Sequence, residues 1–393
     1  MKSAVLAEPA KSLREVYTGV LTATVNTLRV THNEEEIGAA VPGFESVRSV
    51  LQRSRAKVRP LLPRSREEID LDARWTHTLT GARFLLFDDG SINRILGFST
   101  NELITSLCEA STVFMDGTFR VVPTIFTQLY SLHGFFKGEM VPFVYFLLPD
   151  KSKETYVRMF NLVKRYAMSI GKSFDPPAFQ LDFEISALKA LEECFPRSER
   201  EGSLFHFNQS LWRKVRELRL SAHYGDSEVK RFIRCTAALA LVPLDRVEDA
   251  WLEIKSDSPT FEHPAYQKPE DFKMYFINTW MENETVFPRK IWNQYRNFGA
   301  RTTNHLEGWH QALNRDVKRS HVNLFEMIEH LQKQEDKFRL DMMRLRMGQG
   351  PPTLTKVYRR LNDRLIRLTG EFESGARTLL DYVRGVAHNP PSM

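Results

Sequence analysis

Three carboxylates stand apart in this sequence, each in its own setting. Asp116 lies in V-F-M-D-G-T-F-R at 113–120, Asp182 in Q-L-D-F-E-I-S-A at 180–187 and Glu307 in R-T-T-N-H-L-E-G-W-H at 301–310. Asp116 emerges from an apolar, β-like run. Asp182 closes another short apolar run just ahead of a helical pattern. Glu307 sits in a helical pattern far downstream. Three hard oxygen donors of this kind can hold two divalent cations, Mg2+ or Mn2+, and such a pair supports phosphodiester chemistry. The first expectation is therefore an enzyme that acts on nucleic acid.

Each residue also has a plainer reading. Asp-Gly is a common turn pair, which leaves Asp116 a turn residue as the alternative. Asp182 is placed to cap the helix expected from Glu184, and Glu184 itself is a rival ligand two residues on. Glu307 as an exposed helix residue is the alternative there. His206, between Phe205 and Phe207, is a packed core histidine on context alone, with a place near the carboxylates as the alternative. His310 shares a helix face with Glu307, three residues before it, and is read as a neighbour of the ligands. Arg213 and Lys214 are candidate phosphate contacts beside a buried Trp212. Arg359, Arg360, Arg364 and Arg367 form either a DNA-facing stripe or a solvated helix face.

The elements that must position these groups are legible in the pattern. F-L-L-F-D-D-G at 84–90 and R-I-L-G-F-S at 94–99 predict a hairpin turning at Asp89-Gly90. Runs at 112–122, 126–136 and 140–148 are rich in β-branched and aromatic residues and predict a three-strand meander. A helix is expected from Thr155 to about Ile170, with Tyr156, Met159, Phe160, Val163 and Ala167 on one face and a stop at Gly171. A strand at 178–183, a helix at 184–194, a short strand L-F-H-F at 204–207 and a further helix complete the order β-β-β-α-β-α-β-α. That order is the one of an RNase H-like α/β fold, a mixed sheet flanked by helices. From about 226 to 298 only helices are expected, which accounts for the long gap between the second and third carboxylates.

Composition sets bounds on this reading. The chain has 393 residues, room for two or three domains, and 42% hydrophobic content, enough for a real core. Net charge is +6, a mild basicity that suits a polyanionic partner. The basic stretch 48–66 is either a solvated linker, broken at Pro60 and Pro63, or a phosphate-contacting arm. Cys108, Cys194 and Cys235 are too scattered for a zinc knuckle or finger and read as free thiols. No stretch approaches the length of a membrane span, and no targeting signal is clear. The expected setting is the nucleus, or the cytosol where the chain is made.

Several words then point to one family. D-G-T-F at 116–119, D-F-E-I-S-A at 182–187, F-H-F-N-Q-S-L-W-R-K at 205–214, F-I-N-T-W at 276–280, R-T-T-N-H-L-E-G-W-H-Q-A-L-N at 301–314 and S-H-V-N-L-F at 320–325 occur in order and at fitting distances. Together they make the chain resemble the transposase domain of Mutator-like elements from roughly residue 70 to 340. The resemblance implies an RNase H-like core with an all-helical insertion before the last catalytic Glu. It implies a D-D-E triad of Asp116, Asp182 and Glu307 on two Mg2+ (or Mn2+) ions. It further implies cleavage and strand transfer at the DNA ends of an element, with a homo-oligomer assembled on DNA. Two words depart from the family: Ser203-Leu204-Phe205-His206 stands where Cys-x-x-His is common, and Thr302-Thr303-Asn304 where T-N-N is common. Relatives also often carry an N-terminal zinc-binding recognition domain, which three scattered cysteines cannot build. A domesticated or truncated DNA-binding descendant without strand transfer is therefore the alternative. The expected layout is a helical and basic region with a hairpin at 1–105, a first core part at 106–222, and the insertion at 223–300. The last core part follows at 301–346, and a C-terminal basic helix with tail at 347–393.

Overall fold

Lys137 and Gly138 both take positive φ, 47° and 87°. They form a two-residue turn whose twist matches that of the strands on either side. Around it the apolar runs expected to be strands pair as expected. The computed structural model describes residues 1–7, 12–56, 61–282, 287–299, 304–317, 320–351 and 356–388, without the side chains of Asn304, His305, Glu307, Val357 and Tyr358.

The chain opens with four helices, α1 (Lys2–Ala7), α2 (Leu13–Leu28), α3 (Glu34–Ala40) and α4 (Phe44–Ala56). Val5, Leu13, Val16 and Leu51 make a small core of their own there. The first half of the basic stretch at 48–66 is thus helical and anchored by Leu51, a correction to its reading as a linker. Pro60 lies outside the described residues.

A short helix, α5 (Ala73–Thr76), leads to β1 (Leu85–Asp88) and β2 (Leu96–Phe98), the expected hairpin. Then come α6 (Asn101–Cys108), β3 (Thr112–Thr118), β4 (Gln128–Phe136), β5 (Glu139–Leu148), α7 (Lys153–Ser169), β6 (Ala178–Leu181), α8 (Ile185–Cys194), β7 (Glu199–Gly202) and α9 (Leu204–Glu217). Seven strands form one mixed sheet in the order β1-β2-β5-β4-β3-β6-β7. β3 pairs antiparallel with β4 and parallel with β6, and β6 pairs parallel with β7. This is the α/β, RNase H-like arrangement.

The expected apolar face of α7 is present: Tyr156, Met159, Phe160, Val163 and Ala167 are buried, Ser152 caps the start, and Gly171 turns the chain at φ 72°. One expectation fails. Residues 204–207 are the first turn of α9, so His206 is helical. Leu204, Phe207, Leu211 and Val215 recur at helical spacing and bury one face, and that period outweighs the β-like look of L-F-H-F. The strand is E-R-E-G just before it, polar and held by its ladder to β6.

The stretch that follows contains α10 (Ser227–Ala238), α11 (Val247–Ser256), α12 (Gln267–Phe276) and α13 (Arg289–Trp292), with no strand among its described residues. Their aromatic core includes Phe207, Phe276, Trp280 and Trp292. The side chain of Gln294 donates to the Gly202 carbonyl at 3.0 Å, tying this helical layer to the sheet edge. Four more helices follow: α14 (Asn304–Val317), α15 (Leu324–Arg346), α16 (Lys356–Glu373) and α17 (Leu379–Ala387). α17 was not foreseen. Its Leu379, Tyr382, Val383 and Val386 join the helical core, so the C-terminal region is two packed helices and not one helix with a tail. The expectation of a frayed end over 388–393 falls, apart from His388, which caps α17, on residues outside those described. No helix among the described residues is long and apolar enough to cross a membrane.

Candidate active site

The parallel pairing of β3 with β6 sets the two aspartates beside each other. The register runs Thr112 to Ala178, Val113 to Phe179 and Phe114 to Gln180. The ladder ends there, and Asp182 follows directly after β6, near enough to Asp116 for the charge of Asp116 to act on it. Asp116 is still within β3, whereas Asp182 lies in the link between β6 and α8. Glu184, not Asp182, takes the cap position of α8. Asp182 instead accepts the backbone N–H of Glu184.

Asp116 is buried and held from two sides. Its Oδ1 accepts the Gly117 N–H at 2.8 Å, and its Oδ2 lies 3.2 Å from His310 Nδ1. Gly117 must be small: a methyl there would lie 2.6 Å from Gln128 Oε1 and 3.1 Å from the Tyr130 ring. His310 is delivered by α14, whose Leu306, Trp309 and Leu313 are buried. Trp309 stacks on Tyr145 at 5.5 Å and donates to Gln334 Oε1, which fixes the helix over the sheet. His310 Nε2 is buried and has no hydrogen-bond partner among the described residues.

A second chain of contacts supports Glu184. Gln128 Nε2 donates to Tyr156 Oη at 2.8 Å, and Tyr156 Oη donates to Glu184 Oε1 at 2.7 Å. Lys151 Nζ stands 3.9 Å from Glu184 Oε2 and the same distance from the Phe119 ring centre. Burial, and then the negative charges of Asp116 and Glu184, push Asp182 up to about 7. Burial is also the largest influence on Tyr130 and Tyr156, and both hydroxyls are pushed well above the usual tyrosine range. The Tyr130 hydroxyl is buried in the field of Asp182, Glu184 and Asp116 and has no partner among the described residues.

His206, from α9, is shifted down by burial and pulled partly back by Asp116 and by a hydrogen bond to Gln209. It therefore lies within electrostatic reach of Asp116, and exposed Arg213 lies within reach of His206. Glu307 is on α14 one turn before His310, but its side chain lies outside the described residues. The other cations separate. Lys214 pairs with Glu217 at 2.6 Å and lies over Tyr275. Arg359 and Arg360 are exposed on α16. Arg364 donates to the Gly385 carbonyl and Arg367 pairs with Glu371, so the four arginines are not one free stripe.

Sequence reasoning missed Tyr156, Gln128, Tyr130 and Lys151 as neighbours of the carboxylates. Tyr156 read as one more member of an apolar helix face. Its hydroxyl, at the start of that face, was the one available hint.

No group of three or more His, Cys, Asp or Glu stands together as a metal cage among the described residues. The donors that are described nonetheless suit a hard cation. They are carboxylate oxygens, and burial together with the negative charge of its neighbours raises Asp182, a cost to the ionised form that a divalent ion would relieve.

Residues 112–210, from the start of β3 into α9, match the family model of the MULE transposase domain. No curated protein matches the chain.

Proposed function

We propose that this chain, which carries a MULE transposase domain, is a metal-dependent DNA transposase whose triad is Asp116, Asp182 and Glu307. The observation that carries this reading is the closeness of Asp116, on β3, to Asp182, just past the end of the parallel neighbour β6, inside the matched stretch. Asp116 and Asp182 would hold two Mg2+ or Mn2+ ions together with Glu307, the carboxylate three residues ahead of His310. Bound there, such ions would supply positive charge that favours the attacking water as hydroxide, or the 3′-hydroxyl as its alkoxide, and the leaving 3′-oxygen as an anion. The protein's own groups position the reaction. His310 holds Asp116 through Oδ2, the Gly117 N–H holds Oδ1, and Tyr156 holds Glu184 beside Asp182. The Tyr130 hydroxyl and His310 Nε2 are among the buried polar atoms without a partner in the described residues, and each would be met by a bound water. Arg213 supplies charge for the DNA backbone at the rim. The partners are then element ends and further copies of the chain, in the nucleus.

The test is cleavage of duplex DNA carrying candidate element ends, with Mg2+ or Mn2+. Asp116→Ala, Asp182→Ala and Glu307→Ala should each abolish cleavage while DNA affinity persists. Metal should raise the melting temperature of the wild type more than that of Glu307→Ala. A wild type with neither cleavage nor a metal-dependent thermal shift sinks the reading. One observation favours the alternative, a domesticated DNA-binding protein without strand transfer. Asp116 already spends one oxygen on His310. That alternative expects DNA affinity that falls steeply with salt and no product at any metal concentration.

A further inference from the structure

A second cluster stands away from the carboxylates, on α10 and α17. Lys230, Arg231 and Arg234 recur along one face of α10. With Arg384 and His388 they line a cavity of about 430 Å3. The charges there are not balanced. Asp257 serves two guanidinium groups at once, Arg231 at 2.9 Å and Arg384 at 2.8 Å. Lys230 and Arg234 have no carboxylate partner among the described residues. They gather on Tyr224 instead: Lys230 lies 5.8 Å from its ring centre, and Arg234 Nε donates to its hydroxyl at 3.2 Å.

Tyr224 links this cluster back to the candidate active site. Its ring meets the Trp212 ring edge-on at 4.9 Å. The next residue on α9 is Arg213, exposed and within electrostatic reach of His206. Cations and rings therefore follow one another across the surface: Arg213, Trp212, Tyr224, then Lys230 and Arg234, then the cavity. A single anion would satisfy one end of such a path. A chain of phosphates satisfies all of it, because each cation that meets a phosphate releases a condensed counterion. The two rings face each other and the cations, so stacking of exposed bases is not what they offer. The fitting partner is the backbone of a duplex, read without regard to sequence.

We propose that the α9–α10–α17 surface is a track for duplex DNA phosphates leading to the carboxylate site. The inference rests on DNA as the substrate, as proposed above, but not on cleavage. It is tested with the full chain and a short duplex DNA of arbitrary sequence, in chelator, with affinity measured over a salt series. Lys230→Gln with Arg234→Gln should lower the slope of log K against log salt by close to 2, at about 0.9 per lost phosphate contact. Arg213→Gln, on another helix, should lower it by about 0.9. Melting temperatures of these variants should stay near the wild type, since none of the three side chains is buried. An unchanged slope in both variants overturns the track even if the wild type cleaves DNA. A reduced slope in both upholds it even if no cleavage is found and the catalytic reading fails. Duplex RNA bound more tightly than DNA, with the same loss of slope, overturns the assignment of the partner.

Discussion

Asp116 Oδ2 and His310 Nδ1 lie 3.2 Å apart, joining β3, an interior strand of the sheet, to a helix from the last quarter of the chain. Both side chains are buried, so the contact is shielded from water and its loss is felt. His310→Ala should lower stability by about 1–3 kcal/mol, the usual cost of leaving a buried polar group unpartnered. His310→Gln, which can still donate, should recover part of it. Urea unfolding in chelator measures both, and an unchanged midpoint for His310→Ala would falsify the structural role.

The pH dependence follows from two carboxyl groups. Asp182 and Glu335 are each pushed up to about 7, by burial first and then by neighbouring negative charge. The folded chain thus keeps protons that the unfolded chain sheds. Their contribution to stability is complete below about pH 4 and is lost as pH rises to about 7. Buried His133 and His206, both shifted down, act with the opposite sign in part of that window. The informative quantity is therefore a difference. Relative to Glu335→Gln, the wild type should lose stability between about pH 5 and pH 7.5, and likewise relative to Asp182→Asn, in melting curves taken in chelator. A wild type that gains on either variant over this range contradicts the assignment.

Tyr156→Phe removes one hydroxyl and breaks two hydrogen bonds, from Gln128 and to Glu184. The expected loss is about 1–2 kcal/mol. If Glu184 helps to order Asp182, the variant should also cleave DNA several-fold more slowly at saturating DNA with little change in apparent affinity. A change in affinity alone would place Tyr156 outside the chemistry.

Gly117→Ala puts a methyl 2.6 Å from Gln128 Oε1. That oxygen ends a flexible side chain, but Gln128 is fully buried and its amide nitrogen is held by Tyr156. Overpacking of this kind costs about 1–3 kcal/mol. The damage should be relieved in part by Gln128→Ala, which opens the space. Simple additivity of the two substitutions in denaturant unfolding would show that the clash is not the cause.

What could be read in advance depended on how each residue declares itself. The meander, α7 and the hairpin were visible because their apolar periods are long and their turns carry Lys-Gly or Asp-Gly. Asp116 and Asp182 were visible because each interrupts or ends an apolar run. His310 followed from a three-residue spacing on a helix. The N-terminal half of α9 was misread because Phe205 and Phe207 alternate like a strand, whereas burial follows Leu204, Phe207 and Leu211. Strand β7 left no apolar trace, since its stability comes from backbone pairing with β6. Tyr156 and Gln128 meet near the carboxylates through folding alone, and no local pattern announces that. The basic helices carried charge that the sequence could count but could not sort into paired and unpaired.

The polarity that hid β7 has a protective side. A sheet of seven strands has two borders, and an uncovered border is a template for a strand from another molecule. One border is the four residues E-R-E-G. The other is β1, equally short, with Asp88 at its end gripped by Arg94 at 2.7 Å. Short, charged borders make poor templates. Copies of the chain brought close together gain from this, because their sheets resist merging edge to edge.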